Sequence, residues 1–154
     1  MRRKDREITD PEVVRKILTE ALICRLALMD EGEPYIVPLN FGYEDPFLYF
    51  HSAPAGRKID ILKRNNRVCF EIESEVSVTE GPEACDYTTQ YRSVIGYGKV
   101  ELLSDPEAIR AGLDVIMHQH GRVGKNNYKE QYMGHMLVLR LQIEQLSCKQ
   151  NGIV

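Results

Sequence analysis

One short segment of the sequence combines residue types that bind anions. It reads His51-Ser52-Ala53-Pro54-Ala55-Gly56-Arg57-Lys58 and places a turn directly before two cations, and residues 57–65 then show helical spacing. Cations in the first turn oppose the helix dipole by roughly 0.3–1 kcal/mol each. A phosphate at that position would reverse the sign and accept hydrogen bonds from the free N–H groups of the helix end. Ser52, Arg57 and Lys58 therefore form either a phosphate clamp or a solvated basic turn.

His51 is the candidate for acid–base chemistry. Its imidazole titrates near neutral pH, so it can hydrogen-bond a ligand and supply a proton. An imidazole that caps the end of a strand is the structural alternative, and the sequence leaves both roles open.

Other reactive residue types occur in weaker patterns. His118, His120 and His135 lack the neighbouring carboxylates or cysteines of a metal site, so no metal is predicted. Cys85 lies before an aspartate in a predicted loop, without an adjacent cation to lower its pKa. We interpret Cys85 as a packing or dimer-contact residue.

Strands lead into the anion-binding segment. Residues 34–43 alternate with period two, which places Tyr35, Val37, Leu39 and Phe41 on one face and Ile36, Pro38, Asn40 and Gly42 on the other. Pro38 has no N–H to donate, so it belongs at a sheet edge or bulge, where something other than a strand can lie beside it. Residues 47–51 form the next strand and end at His51.

The rest of the pattern predicts further strands and two more helices. One helix begins at Asp10-Pro11, and a second spans 104–118, opened by a Ser104–Glu107 capping box. Residues 73–87 lack clean periodicity and are predicted to form a loop. The remaining strands are predicted at residues 24–29, 68–72, 91–103 and 136–143. The absence of an internal repeat or linker predicts a single domain over residues 1–154.

Composition narrows the class of protein. A net charge of −3 without a long basic stripe argues against a nucleic-acid binder. No apolar run approaches the ~20 residues of a membrane span, and the basic first residues lack the apolar region of a secretory signal. The four cysteines are widely spaced, which favours free thiols and a cytoplasmic location.

A chain of 154 residues is short for a protein that encloses a cofactor alone, so a partner subunit is expected.

A series of motifs resembles the flavin-binding split-barrel superfamily that includes pyridoxamine phosphate oxidases, and most closely its nitroimidazole-resistance branch. The resemblance covers nearly all of the chain and rests on the order and spacing of the motifs. These are residues 1–8, Cys24-Arg25-Leu26-Ala27-Leu28, Val37-Pro38-Leu39-Asn40-Phe41-Gly42-Tyr43, Tyr49-Phe50-His51-Ser52, Gly56-Arg57-Lys58-Ile59-Asp60-Ile61-Leu62, Arg67-Val68-Cys69-Phe70, Ala84-Cys85-Asp86 and Tyr91-Arg92-Ser93-Val94-Ile95-Gly96-Tyr97-Gly98.

The resemblance implies a fold and a cofactor site. The fold is mainly β, a six-stranded antiparallel split barrel flanked by a few helices. The cofactor is flavin mononucleotide (FMN), whose phosphate lies on Arg57 and Lys58. Its ring and ribityl chain lie along the strand of Val37, Pro38, Leu39 and Asn40, and His51, Ser52 and the strand of Ser93 complete the pocket. The opposite wall comes from a second subunit, so the expected assembly is a homodimer with FMN at its interface.

The resemblance also implies an activity. The flavin would take hydride from a reduced nicotinamide and pass electrons to a small-molecule acceptor such as a nitroaromatic. A module that binds flavin or haem without turnover is the alternative, since related barrels take haem or a deazaflavin. The basic pair favours a phosphorylated ligand over haem.

Overall fold

The computed structural model describes residues 3–153, so the first two residues of the first family motif lie outside the described part. Seven strands and four helices follow along these residues. The strands are β1 (Ile23–Asp30), β2 (Glu33–Asn40), β3 (Gly42–Glu44), β4 (Phe47–Ser52), β5 (Arg67–Thr79), β6 (Thr88–Leu103) and β7 (Leu137–Asn151). The helices are α1 (Pro11–Glu20), α2 (Arg57–Arg64), α3 (Pro106–Gln119) and α4 (Glu130–Met133).

All seven strands join one antiparallel sheet in the order β2-β1-β5-β6-β7-β4-β3. The sheet curls so that β2 also approaches β4. Alternate residues face inward, and Leu26, Phe50, Phe70 and Leu141 are fully buried in the core. A mainly β fold with an antiparallel sheet and a few flanking helices is therefore confirmed.

The predicted count of six strands is wrong, because the run at residues 34–43 forms two strands. Phe41 is fully buried between them, and the chain changes partner there: β2 pairs with β1, whereas β3 pairs with β4. Gly42 permits the change by its close approach to α3. A Cβ atom on Gly42 would lie 2.6 Å from the backbone nitrogen of Ile116.

The predicted loop at residues 73–87 is also wrong over its first part, residues 73–79. Strand β5 continues to Thr79, past a register shift between Ser74 and Ser77, and β6 begins at Thr88. Val76 and Val78 are both more than half exposed, so this part of the hairpin lacks a buried face. The apolar alternation is limited to Val76 and Val78, which is too short a run for the strand to be recognised from the sequence.

The helix termini follow local capping chemistry. Asp10 caps α1 as predicted, through a hydrogen bond from the Glu12 amide. At α3 the N-cap is Asp105, which accepts from the Ala108 amide, so the predicted Ser104 capping box does not form. No helix in residues 3–153 is long and apolar enough to cross a membrane.

Candidate functional site

The start of α2 differs from the capped starts of α1 and α3. Its N-cap is Gly56, with φ of 117°, and no side chain accepts a hydrogen bond there. The amides of Ile59 and Asp60 both donate to the Gly56 carbonyl. Within residues 3–153, the amides of Arg57 and Lys58 have no backbone acceptor and no capping side chain. This helix end presents two N–H donors together with two cationic side chains.

Arg57 is held by the hairpin that joins β1 to β2. Its Nε donates to Asp30 Oδ2 at 3.0 Å, and its guanidinium lies 4.6 Å from the centre of the Tyr35 ring. Its side chain is still 57% exposed, and its terminal nitrogens have no hydrogen-bonding partner among the described residues. Arg57 is therefore neither a freely solvated cation nor fully paired, because one edge of its guanidinium is in use and the other is open.

Lys58 has a different environment from Arg57. It is half-buried, and burial lowers the pKa of its ammonium group. No carboxylate in residues 3–153 forms an ion pair with it. A partly desolvated ammonium without a counter-ion is unfavourable alone and is stabilised by a bound anion.

Strand β2 offers the predicted residues on two faces. Val37 and Leu39 point inward and are partly buried against the core, while Pro38 and Asn40 are exposed on the outer face. The strand lies at the end of the sheet order, so the predicted edge position of Pro38 is confirmed. A ligand on the outside of β2 can meet the side chains of Pro38 and Asn40, but only the backbone of Val37 and Leu39.

His51 and Ser52 also point to opposite faces of their strand. Ser52 is buried, and its hydroxyl donates to the Ala53 carbonyl at 3.0 Å. His51 is exposed, and its ring makes no hydrogen bond with residues 3–153. The strand-capping role is therefore not seen for His51, and its imidazole is open to solvent.

Ser93 is not brought to the other candidate residues within one chain. Ser52 pairs with Leu137 of β7, whereas Ser93 pairs with Lys149 near the other end of the same strand. Twelve residues of extended chain correspond to about 40 Å of path. Ser93 lies on the same side of its strand as Ile95, the outer face, but it is buried, with 9% of its surface exposed.

The remaining candidates lie on other elements. His118 and His135 lie at the end of α3 and after α4, and Cys85 is exposed in a short 3-10 turn. In residues 3–153 no three His, Cys, Asp or Glu side chains come together as metal ligands would.

Asp30 was missed by reasoning from the sequence. It contacts Arg57 and Arg64, which lie 27 and 34 residues away in the chain. Local spacing carries no signal for such contacts, although the Glu31-Gly32 turn after Asp30 marks the hairpin on which it lies.

A comparison with protein families identifies the family of this chain. A model described as pyridoxamine 5'-phosphate oxidase matches residues 10–150. The chain belongs to that family.

Solved structures of similar chains support membership in the pyridoxamine 5'-phosphate oxidase family. A candidate 5-nitroimidazole antibiotic resistance protein from Bacteroides thetaiotaomicron is 34% identical over 94% of this chain and 86% of its own, with a TM-score of 0.83. An FAD-binding protein from Mesorhizobium loti is 25% identical over 96% of this chain and 98% of its own, with a TM-score of 0.70. The resemblance to the family and to its nitroimidazole-resistance branch is confirmed by these matches.

A curated relative is similar over a shorter region. An uncharacterized protein of Rhizobium meliloti is 31% identical over 81 residues, which are 53% of this chain and 46% of that protein. The match thus spans about half the length of either protein.

Proposed function

We propose that this member of the pyridoxamine 5'-phosphate oxidase family is an FMN-dependent oxidoreductase that reduces nitroaromatic compounds with electrons from a reduced nicotinamide. The observation that carries the proposal is the start of α2. There Arg57 has an open guanidinium edge, and Lys58 is a half-buried ammonium without a carboxylate partner in residues 3–153. Both features suit a doubly charged phosphate monoester.

The donors at this helix end fit a phosphate in number and kind. Two backbone amides, the outer nitrogens of Arg57 and the ammonium of Lys58 are all donors, and a phosphate is acceptor-rich. Haem offers no phosphate to this cluster, so the donor set favours a flavin nucleotide. The FAD-binding relative makes FAD the nearest competing ligand.

The rest of the ligand is proposed to lie along the outside of β2. Strand β2 lies at the end of the sheet order, and its outer face carries Pro38, which has no N–H to donate, and the exposed amide of Asn40. A bound flavin ring supplies the hydride and electron transfer. The exposed imidazole of His51 would hydrogen-bond the ring or the acceptor and deliver a proton to it.

A second copy of the chain is proposed as the opposite wall of the pocket. Paired residues on the outer face form a row across four strands, from Ile36 through Ala27 and Cys69 to Tyr97. Ile36 is 62% exposed and Tyr97 44%, so the row is an apolar surface in the single chain. Ser93 lies on this same outer face but far along the sheet from Ser52, which suits a residue that the partner's copy contributes.

The nature of the acceptor is supported by one relative. The Bacteroides thetaiotaomicron protein is described as a candidate for resistance to 5-nitroimidazoles, which are nitroaromatic compounds. The reduction of such a compound is proposed for this chain by that similarity.

Anaerobic spectroscopy tests the proposed activity. The purified protein is loaded with FMN, a reduced nicotinamide is added, and a 5-nitroimidazole follows. We expect the flavin absorbance to bleach and then to return as the acceptor is reduced. A flavin that stays oxidised with both NADH and NADPH contradicts the enzyme and favours a non-catalytic binding module. A Soret band in the protein as purified would identify haem instead.

A further inference from the structure

Arg57 is constrained on two sides before any ligand binds. Its Nε is bonded to Asp30, and the face of its guanidinium lies on the Tyr35 ring. An Asp30 contact made through Nε, rather than through the terminal nitrogens, leaves the outer edge of the guanidinium free for a second, bidentate acceptor. Arg57 is thereby held in one orientation, with the phosphate-binding edge open.

Asp30 is itself fixed in place. It is the last residue of β1, ahead of a turn in which both Glu31 and Gly32 have positive φ. Its other oxygen, Oδ1, accepts from Arg64 at the far end of α2, and its side chain is only 19% exposed. A carboxylate anchored by Arg64 and by the hairpin is a rigid support for Arg57.

The charges in this cluster match the ligand. Arg57, Arg64 and Lys58 carry three positive charges and Asp30 one negative charge, so these four side chains have a net charge of +2. A phosphate monoester carries about −2 at neutral pH. Asp30 therefore leaves enough positive charge for a phosphate while it orients the arginine.

We infer that Asp30 is a positioning residue: together with Tyr35 it presents the outer edge of Arg57 to the ligand phosphate and so sets the preference for FMN over unphosphorylated riboflavin. The inference rests on the proposed phosphate site. It makes a prediction opposite in sign to that of simple electrostatics. If Asp30 only competed with the phosphate for Arg57, removing its charge would strengthen FMN binding.

The test measures dissociation constants for FMN and for riboflavin by flavin fluorescence, in the wild type and in Asp30→Ala. We expect Asp30→Ala to weaken FMN binding by roughly tenfold, the scale of one charge-assisted hydrogen bond, and to leave riboflavin binding unchanged. In an Arg57→Ala background, Asp30→Ala should have no further effect on FMN, because Asp30 acts through Arg57. Glu130→Ala, which removes the carboxylate partner of Arg110 without touching Arg57 or Asp30, is the control and should change neither constant.

The outcomes separate this inference from the proposed function. The positioning role is overturned if the wild type prefers FMN and the Asp30→Ala variant keeps or increases that preference. The proposed phosphate site is not contradicted by that result. A wild type that binds FMN and riboflavin equally overturns both. If Asp30→Ala does not fold, Tyr35→Leu removes the contact between the ring and Arg57 but keeps an apolar side chain against the core. It should also lower the ratio of FMN to riboflavin affinity; an unchanged ratio overturns the inference.

Discussion

At the scale of single residues, the ligand-free site carries a charge on Lys58 that does not stabilise the fold. Burial lowers the pKa of Lys58, which means that the folded state disfavours its charged form relative to the unfolded chain. For a base with a lowered pKa, this cost is present at neutral pH and disappears as the pH rises through the titration of the ammonium group. A residue that is costly without its ligand is typical of a binding site.

Replacement of Lys58 should therefore have opposite effects on stability and binding. Lys58→Met keeps the apolar stem and removes the charge, so we expect the ligand-free protein to melt at a slightly higher temperature and to bind FMN more weakly. Thermal unfolding of the flavin-stripped protein and FMN titration measure the two effects. Lys63→Met, in the last turn of the same helix, is the control and should leave FMN binding unchanged. A lower melting temperature for Lys58→Met would show that the ammonium has a stabilising partner.

The residues of the site were only partly predictable from the sequence. The type and order of Arg57 and Lys58 at a helix start are local features, and α2 begins at Arg57 as expected. The partners of Arg57 come from another hairpin, and no spacing rule connects Asp30 with a residue 27 positions later.

At the scale of elements, the strands that could be predicted from the sequence are those whose side chains alternate between the buried core and the solvent. Strand β1 shows clean alternation of buried and exposed positions, and it was recognised. The outer half of the β5–β6 hairpin and the second half of β7 were not, since neither has a continuously buried face. The outer part of β5 and the second half of β7 each pair with β6, and their strand conformation depends on that pairing.

The division between β2 and β3 depends on Gly42, where the chain passes close to the backbone of α3. Gly42→Ala would place a methyl group 2.6 Å from backbone atoms of Val115 and Ile116, so α3 must shift away from β3. We expect a loss of about 1–3 kcal/mol in the free energy of unfolding, measured by urea denaturation. Gly134→Ala is the control, because nothing lies within 4 Å of the place its methyl group would take and its φ of −72° suits alanine. Equal stabilities for the two variants would contradict the tight β3–α3 contact.

At the scale of the whole molecule, the proposed pocket needs two subunits. The outer face of β2, β1, β5 and β6 carries the exposed apolar row together with Pro38, Ile95 and Ser93, so the ligand strand and the proposed interface are continuous. One chain cannot bring Ser93 to Ser52 along this sheet.

Charge placed on the outer face should therefore disrupt assembly and ligand binding together. We expect Ile95→Arg, at a position that is 42% exposed in the single chain, to shift the protein from dimer to monomer and to weaken FMN binding at least tenfold. Light scattering after gel filtration and FMN titration measure both effects. Val123→Arg, at an 86% exposed position between α3 and α4, should change neither. A monomeric wild type that binds FMN tightly would contradict the shared pocket.

The proposed cofactor site depends on the binding of a flavin nucleotide phosphate at the start of α2. It is tested most directly by the flavin content of purified wild-type protein and of the Arg57→Ala/Lys58→Ala double variant, with the released cofactor identified by mass. We expect FMN in the wild type and none in the variant, which should remain a folded dimer. FMN retained by the double variant at the wild-type level, or a wild type that carries no phosphorylated flavin even after incubation with FMN, would contradict it.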